Sequence, residues 1–188
     1  EGRLQDALGK LVENYRGIIF VSAVGIAVRA IAPHLKSKWT DPAVLVVDEE
    51  GRFVVSLLSG HWGGGNSLAL EAARVIGATP VVTTASDLRG IRSPEIFARE
   101  CGFSLEKPEN LPWVSTALLE GEKVVYVVEE GLEDIVLRHL QCENQVLSPR
   151  ISPDDQAVVF VTDRLITTPA VPHIVLRPRR LVLGVGMR

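Results

Sequence analysis

Apolar residues in the first half of the chain alternate between strand-like runs and helix-like spacing. Three β-branched runs have the length and composition of buried strands, and they cover residues 17–22, 43–47 and 53–58. After the first run, Val24, Val28 and Ile31 recur at helical spacing. Pro33 ends that pattern. The polar residues 48–52, which include a glycine, predict a hairpin of two antiparallel strands.

A further helix and a fourth strand follow. Leu68, Ala72 and Val75 predict one apolar helix face, which Gly77 closes at a position where a left-handed cap is common. Residues 80–84 form another buried run. Because strands and helices interleave, the sequence predicts a layered α/β domain, and the hairpin makes its sheet mixed.

The pattern changes near residue 89, where polar loops and prolines separate shorter periodic segments. We therefore predict an N-terminal α/β domain, a smaller α/β middle domain and a linker with the first strand of a further domain. Their bounds are residues 1–89, 90–178 and 179–188. In the middle domain the spacing predicts helices over residues 94–101, 113–119 and 132–140, and strands over residues 123–129, 157–162 and 173–176.

Composition excludes several classes of protein. The 188 residues are 46% hydrophobic, which is enough for a sizeable core, yet no apolar run approaches the roughly 20 residues of a membrane helix. The net charge of −3 gives no general attraction to nucleic acid or to anionic membranes. Cys101 and Cys142 lack the spacing of a zinc site. We expect a cytoplasmic protein with no metal, membrane or nucleic-acid partner, and composition leaves the oligomeric state open.

Candidate chemistry concentrates where the third strand leads through a glycine loop into a helix. This segment is Ser59, Gly60, His61, Trp62, Gly63, Gly64, Gly65 and Asn66. The first N–H groups of a helix have no intrahelical partner and carry partial positive charge, so they bind carboxylates or phosphates readily. The pattern predicts an anion pocket, and a tight turn without a ligand is the alternative.

The same loop approaches the phosphate-binding pattern G-x-x-x-x-G-K-[ST]. Asn66 stands where that pattern has the lysine that reaches the terminal phosphates. Nucleotide binding is therefore the weaker interpretation.

His61 is the candidate general base, because an imidazole exchanges protons near neutral pH and this one lies in the loop. A hydrogen bond from its ring to a neighbouring carbonyl is the alternative. Arg29 and Lys38 are candidate contacts for an anion, against the alternative of a solvated helix face. Asp41 either shapes a turn or carries a second proton, and Asp87 either caps a helix or joins the chemistry.

Several sequence blocks, taken in order, resemble the CbiG-type cobalt-precorrin-5A hydrolases of anaerobic cobalamin biosynthesis. The resemblance is close over residues 17–87 and looser through the middle of the chain. It returns at residues 183–186, which are similar to the opening of the family's C-terminal domain. The blocks are VGIAVRAIAP at residues 24–33, KSKWTDPAV at 36–44, VDEEGRF at 47–53, LLSGHWGG at 57–64 and TTASD at 83–87.

The resemblance implies a cobalt corrinoid substrate that bears carboxylate side chains and a δ-lactone. It also implies the reaction: water opens the lactone, and the ring-bridging carbon leaves with its methyl group as acetaldehyde. Cobalt arrives within the substrate, so the resemblance implies no separate cofactor, and the family's C-terminal domain is the expected partner of this chain. The alternatives are a tetrapyrrole-binding module without catalysis and a fragment that needs the C-terminal domain for activity.

Residue chemistry then assigns expected roles. Ester hydrolysis needs a base, donors for the developing oxyanion and a second proton carrier. The expected catalytic residues are His61, Asp41 and Asp87. The expected substrate-binding residues are Arg29, Lys38, Ser59, Gly60, Gly63, Gly64, Gly65, Asn66 and Thr84.

Overall fold

The computed structural model describes residues 2–167 and 169–179, which divide into two compact units between Leu88 and Arg89. Each unit is a sheet layered with helices, so the predicted α/β class is confirmed. The strand predicted at residues 181–188 lies outside the described residues.

Unit 1 contains a four-stranded mixed sheet in the order β1-β2-β3-β4. β1 and β2 are parallel, β3 is antiparallel to β2, and β4 is parallel to β3, so the predicted hairpin is confirmed. The strands are β1 (Gly17–Val21), β2 (Ala43–Val47), β3 (Phe53–Leu58) and β4 (Thr79–Val81). The helices are α1 (Gly2–Asn14), α2 (Val24–Ile31), α3 (Gly65–Ile76) and α4 (Ala85–Leu88).

The sheet of unit 1 buries a different apolar set on each face, as alternating side chains require. On one face Ala69 and Ala73 of α3 pack against Leu45 and Val54. On the other face Ile31 of α2 joins a separate cluster with residues of β1 and β2. Helices therefore cover both sides of the sheet, and α2 and α3 each connect a parallel pair of strands.

Strand direction decides where the polar residues of unit 1 meet. β3 and β4 run the same way, so the loop after Leu58 and the segment after Val81 leave the sheet at one edge. Since β2 runs opposite to β3, residues preceding Ala43 reach that edge as well. The glycine loop, defined here as residues 59–65, thus lies beside the start of α4.

Unit 2 contains a five-stranded sheet in the order β5-β9-β8-β6-β7, in which only β5 is antiparallel to its neighbour. The strands are β5 (Ser104–Glu106), β6 (Val124–Val128), β7 (Gln145–Leu147), β8 (Ala157–Val161) and β9 (His173–Arg177). The helices are α5 (Pro94–Cys101), α6 (Leu111–Glu120) and α7 (Glu133–His139). All five residues of β8 are buried, as expected of a central strand covered on both faces.

Over residues 2–167 and 169–179, no helix combines the length and the apolar character needed to cross a membrane. Nor do three or more His, Cys, Asp or Glu side chains come together as metal ligands within those ranges.

Candidate functional site

Two segments that are distant in sequence meet in unit 1, where His61 and Asn66 of the first form one hydrogen-bonded cluster with Thr84 and Asp87 of the second. Nε2 of His61 lies 2.7 Å from Oδ2 of Asp87. Nδ2 of Asn66 donates to the same Oδ2 at 2.8 Å and to Oγ1 of Thr84 at 2.9 Å. An ionised carboxylate only accepts hydrogen bonds, so Nε2 of His61 carries the proton in its contact with Asp87. Four residues expected at the site are therefore brought together.

Two serines complete this cluster, which we call the His61 network. Oγ of Ser56 donates to Oδ1 of Asn66 at 2.7 Å. Oγ of Ser86 lies 3.2 Å from Nε2 of His61. Ser56 was not predicted at the site. The available signal was a single hydroxyl within the apolar strand β3, because a polar side chain among buried neighbours usually has a local partner.

Ser86 does not complete a serine hydrolase triad with His61. In such a triad the carboxylate binds one imidazole nitrogen and the serine binds the other. Here Ser86 and Asp87 both approach Nε2. The geometry instead places a carboxylate–imidazole pair that can exchange protons, with Ser86 on the same ring nitrogen as Asp87.

The reactive pair is more accessible than the residues behind it. The side chains of His61 and Asp87 are 15% and 33% exposed. Asn66, by contrast, is buried, with its amide directed inward. The pair is therefore accessible to a ligand from solvent, whereas the amide of Asn66, which was expected to bind substrate, is buried and donates to Asp87 and Thr84.

The glycine loop does not form the expected anion pocket from Gly64 and Gly65. The N–H group of Gly65 donates to the carbonyl of Ser59 at 3.0 Å, and that of Gly64 to the carbonyl of His61 at 3.1 Å. Asn66 N–H likewise donates to the carbonyl of Gly60 at 2.9 Å. The loop folds back over the start of α3, so its own carbonyls occupy donors that an anion would need. Nucleotide binding would need these same N–H groups to bind phosphate, and in this structure loop carbonyls occupy them.

Close packing within the loop explains why it is rich in glycine. A Cβ at Gly63 would lie 2.5 Å from Cβ of Ser59 and 2.8 Å from its carbonyl oxygen, which is too close for any side chain. Across the described residues, no hydrogen bond uses the N–H group of Gly63. Gly63 therefore retains a backbone donor next to His61, while its neighbours serve the fold of the loop.

Ser59 holds a strained conformation at the start of the loop. Its φ is +54°, in the left-handed region that residues other than glycine rarely adopt. Its hydroxyl donates to the backbone carbonyl of Asp41 at 3.1 Å, so it faces the protein rather than a ligand. Strain of this kind persists where the surrounding structure over-determines the backbone, often near functional groups.

The carboxylate of Asp41, an expected catalytic residue, binds backbone groups of the preceding turn. Its two carboxylate oxygens accept the backbone N–H groups of Lys36 and Ser37 at 2.9 to 3.1 Å. This arrangement closes the turn before β2. The structure does not bring the Asp41 side chain into the His61 network.

Of the two expected cations, Lys38 lies on the side of the glycine loop. Its Nζ is 4.8 Å from the centre of the Trp39 ring, a cation–π contact. The Trp39 ring meets the Trp62 ring edge-on at 5.6 Å, and Trp62 follows His61 in the chain. Arg29 is exposed on α2, where its Nη1 donates to the carbonyl of Gly25 at 3.3 Å.

A cavity of about 260 Å³ lies at the opposite edge of the sheet, between the ends of β1 and β2 and the start of β3. Its lining is mainly apolar, and its carboxylate, Asp48, is occupied by backbone N–H groups of the hairpin. Because the His61 network holds an imidazole and a carboxylate that can exchange protons, whereas the carboxylate of Asp48 is occupied, we assign the candidate site to the His61 network and not to this cavity.

Two family models match the chain. The one described as "Cobalamin synthesis G N-terminal" matches residues 6–87. The one described as "Cobalamin biosynthesis central region" matches residues 93–178.

The chain is similar to curated proteins named cobalt-precorrin-5A hydrolase. It is 42% identical to the one from Priestia megaterium over 130 residues, which cover 69% of this chain and 35% of that protein. It is 34% identical to the one from Salmonella typhimurium over 196 residues, which cover 100% of this chain and 54% of that protein. The chain thus spans about half, or less, of the length of these relatives.

Among solved structures, the chain is similar to a cobalamin biosynthesis protein G homologue from Sulfolobus solfataricus. The match covers 94% of this chain and 55% of that one, with a TM-score of 0.51 and 22% sequence identity. At this identity the likeness supports the fold alone.

Proposed function

Because the chain belongs to the CbiG family and carries its N-terminal and central regions, we propose that it contributes the lactone-opening site of a cobalt-precorrin-5A hydrolase. The observation that carries the proposal is the contact of 2.7 Å between His61 and Asp87, at the edge of the sheet where two parallel strands end. Ligand sites of α/β sheets favour the carboxyl ends of strands.

In the proposed reaction, one water molecule is consumed and one acetaldehyde is released. His61 accepts a proton from water as the water oxygen bonds to the lactone carbonyl carbon. The ring oxygen of the lactone then leaves and takes the proton from the His61 imidazolium, which gives a hydroxyl on the bridging carbon and a carboxylic acid that ionises to solvent. His61 then accepts the hydroxyl proton as the aldehyde carbonyl forms and the bond from the bridging carbon to the macrocycle breaks. The electron pair of that bond stays with the macrocycle.

Asp87 supports His61 at each proton transfer in this proposal. A carboxylate beside an imidazole fixes the ring orientation and stabilises the imidazolium that forms when the ring takes a proton. The N–H group of Gly63 is the proposed donor to the developing oxyanion, since oxyanions are stabilised by backbone donors fixed in advance. These assignments retain His61 and Asp87 as catalytic residues and omit Asp41.

Carboxylate arms of the corrinoid have proposed partners on the same unit. Lys38, held against Trp39 on the side of the glycine loop, is placed to pair with one arm. The exposed guanidinium of Arg29 is the proposed contact for another. Local cations of this kind offset the overall charge of −3 when a polyanionic substrate approaches.

The proposed function is tested by acetaldehyde release from cobalt-precorrin-5A. The assay uses a protein of the relatives' full length that carries this chain, because the remaining half is the proposed partner in the reaction. We expect one acetaldehyde for each lactone opened. Tight corrinoid binding with no acetaldehyde would show a tetrapyrrole-binding module instead and would overturn the proposal.

A further inference from the structure

Asn66 has its amide fully engaged behind the reactive pair. Its two N–H bonds go to Asp87 and Thr84, and its oxygen accepts the Ser56 hydroxyl. The residue is 6% exposed. Protein groups occupy both N–H bonds and the oxygen of this amide. Any effect of Asn66 on the chemistry must therefore act through the groups that it binds.

The chemistry of its partners fixes which way round the amide lies. A hydroxyl both donates and accepts, whereas an ionised carboxylate only accepts. The nitrogen of Asn66 must therefore face Asp87, and its oxygen must face Ser56, whose hydroxyl then donates. Ser56 on β3 thus sets the orientation of a donor that reaches the carboxylate of Asp87.

Gly60 leaves room for the amide because it has no side chain. A Cβ at Gly60 would lie 2.5 Å from Oδ1 of Asn66 and 3.0 Å from both Cγ and Nδ2. The amide therefore lies directly against the backbone of the residue that precedes His61. Asn66 N–H also donates to the carbonyl of Gly60, so the backbone and the side chain of Asn66 both hold this part of the loop.

We infer that Asn66 is the positioning residue of the site: it holds the Asp87 carboxylate where that carboxylate accepts a hydrogen bond from the Nε2–H group of His61. By fixing the proton on Nε2, Asn66 decides the tautomer in which His61 meets the substrate. The kinetic consequence rests on the proposed function, whereas the tautomer is a property of the folded chain alone.

The experiment measures the His61 tautomer by ¹⁵N NMR of this chain, together with acetaldehyde release by the full-length protein. In the parent chain we expect neutral His61 to carry its proton on Nε2. In Asn66→Ala we expect a mixture of the two tautomers, because Asp87 loses the donor that orients it. We expect kcat to fall by about 10- to 100-fold with KM changed less than about threefold, as for other groups that orient a reacting residue.

Asn66→Asp provides a second variant if the alanine variant fails to fold. It keeps the side-chain volume and an acceptor for Ser56 but turns an oxygen toward Asp87, so the carboxylate should again leave His61 and the tautomer should again become mixed. Asn14→Ala and Asn14→Asp make the same changes at an exposed residue of α1 and should leave the tautomer and kcat unaltered.

The two measurements separate the inference from the proposed function. An unchanged Nε2 tautomer in a folded Asn66 variant would overturn the inference, even if that variant were less stable. Mixed tautomers in the Asn66 variants would support the positioning role. If the parent full-length protein released no acetaldehyde at the same time, that result would overturn the hydrolase proposal alone.

Discussion

Replacing His61 with glutamine is expected to slow acetaldehyde release by about 10²- to 10⁴-fold, the range typical of losing a general base. Glutamine retains a hydrogen-bonding group of similar reach but exchanges no proton near neutral pH. Because the His61 side chain is part of a network that Asn66 and Asp87 hold from behind, the fold should survive the change. The measurement is the single-turnover rate in the full-length protein.

His34→Gln is the matched control for this prediction. It makes the same substitution at a histidine outside the His61 network, and it should leave the rate within about twofold of the parent. A His61→Gln variant that turns over at nearly the parent rate would show that another group activates water.

Acidification is expected to destabilise unit 2 by about 3 kcal/mol between pH 6.5 and pH 4, because of His139. This residue is 2% exposed and is stacked on Phe97 with ring centres 4.4 Å apart. Neither of its ring nitrogens has a hydrogen-bond partner within residues 2–167 and 169–179. The pKa of His139 is lowered from 6.5 to about 4, mainly by burial and also by the charge of Arg92, while Glu95 opposes the shift.

The sign of this pH effect follows from whether the folded or the unfolded state binds the proton of His139 more tightly. Unfolded His139 takes up a proton as the pH falls through 6.5, while folded His139 resists until about pH 4. The stability conferred by the neutral ring is thus complete above pH 6.5 and is lost progressively down to pH 4. Urea unfolding at several pH values, followed through the amide NMR signals of β6 and β8, reports unit 2 specifically.

His139→Phe isolates this contribution. Phenylalanine retains the stacking on Phe97 and has no titrating group. The free energy of unfolding of unit 2 should therefore fall by about 3 kcal/mol less in His139→Phe than in the parent over the same pH interval. Equal losses in the parent and in His139→Phe would place the acid sensitivity on other groups.

Local patterns predicted the elements of unit 1 well where burial and turn chemistry agree. The hairpin between β2 and β3 followed from two apolar runs around a glycine-containing turn, and its antiparallel pairing is confirmed. Helix α1 was not predicted, although Leu8, Leu11 and Val12 have helical spacing. Its two glycines weakened that pattern, and packing of Leu8 and Val12 against the rest of the unit compensates for them.

The site shows which level of structure a sequence leaves undetermined. Residue chemistry identified His61 and Asp87 separately, but their pairing depends on β3 and β4 running in the same direction. The predicted anion pocket failed at Gly64 and Gly65, because the path of the loop decides whether its carbonyls reach the start of α3. Asn66 was expected to bind a ligand, whereas in the structure its side chain faces inward. Tertiary contacts set that orientation, and the sequence pattern does not show them.

The central claim is that His61 and Asp87 transfer protons as one unit. A double-variant cycle tests it through the single-turnover rates of acetaldehyde release by the parent, His61→Gln, Asp87→Asn and the double variant. Groups that act as a unit give strongly non-additive losses, so we expect the double variant to be within about threefold of His61→Gln. Losses that multiply in the double variant would show that the two residues act independently and would contradict the account.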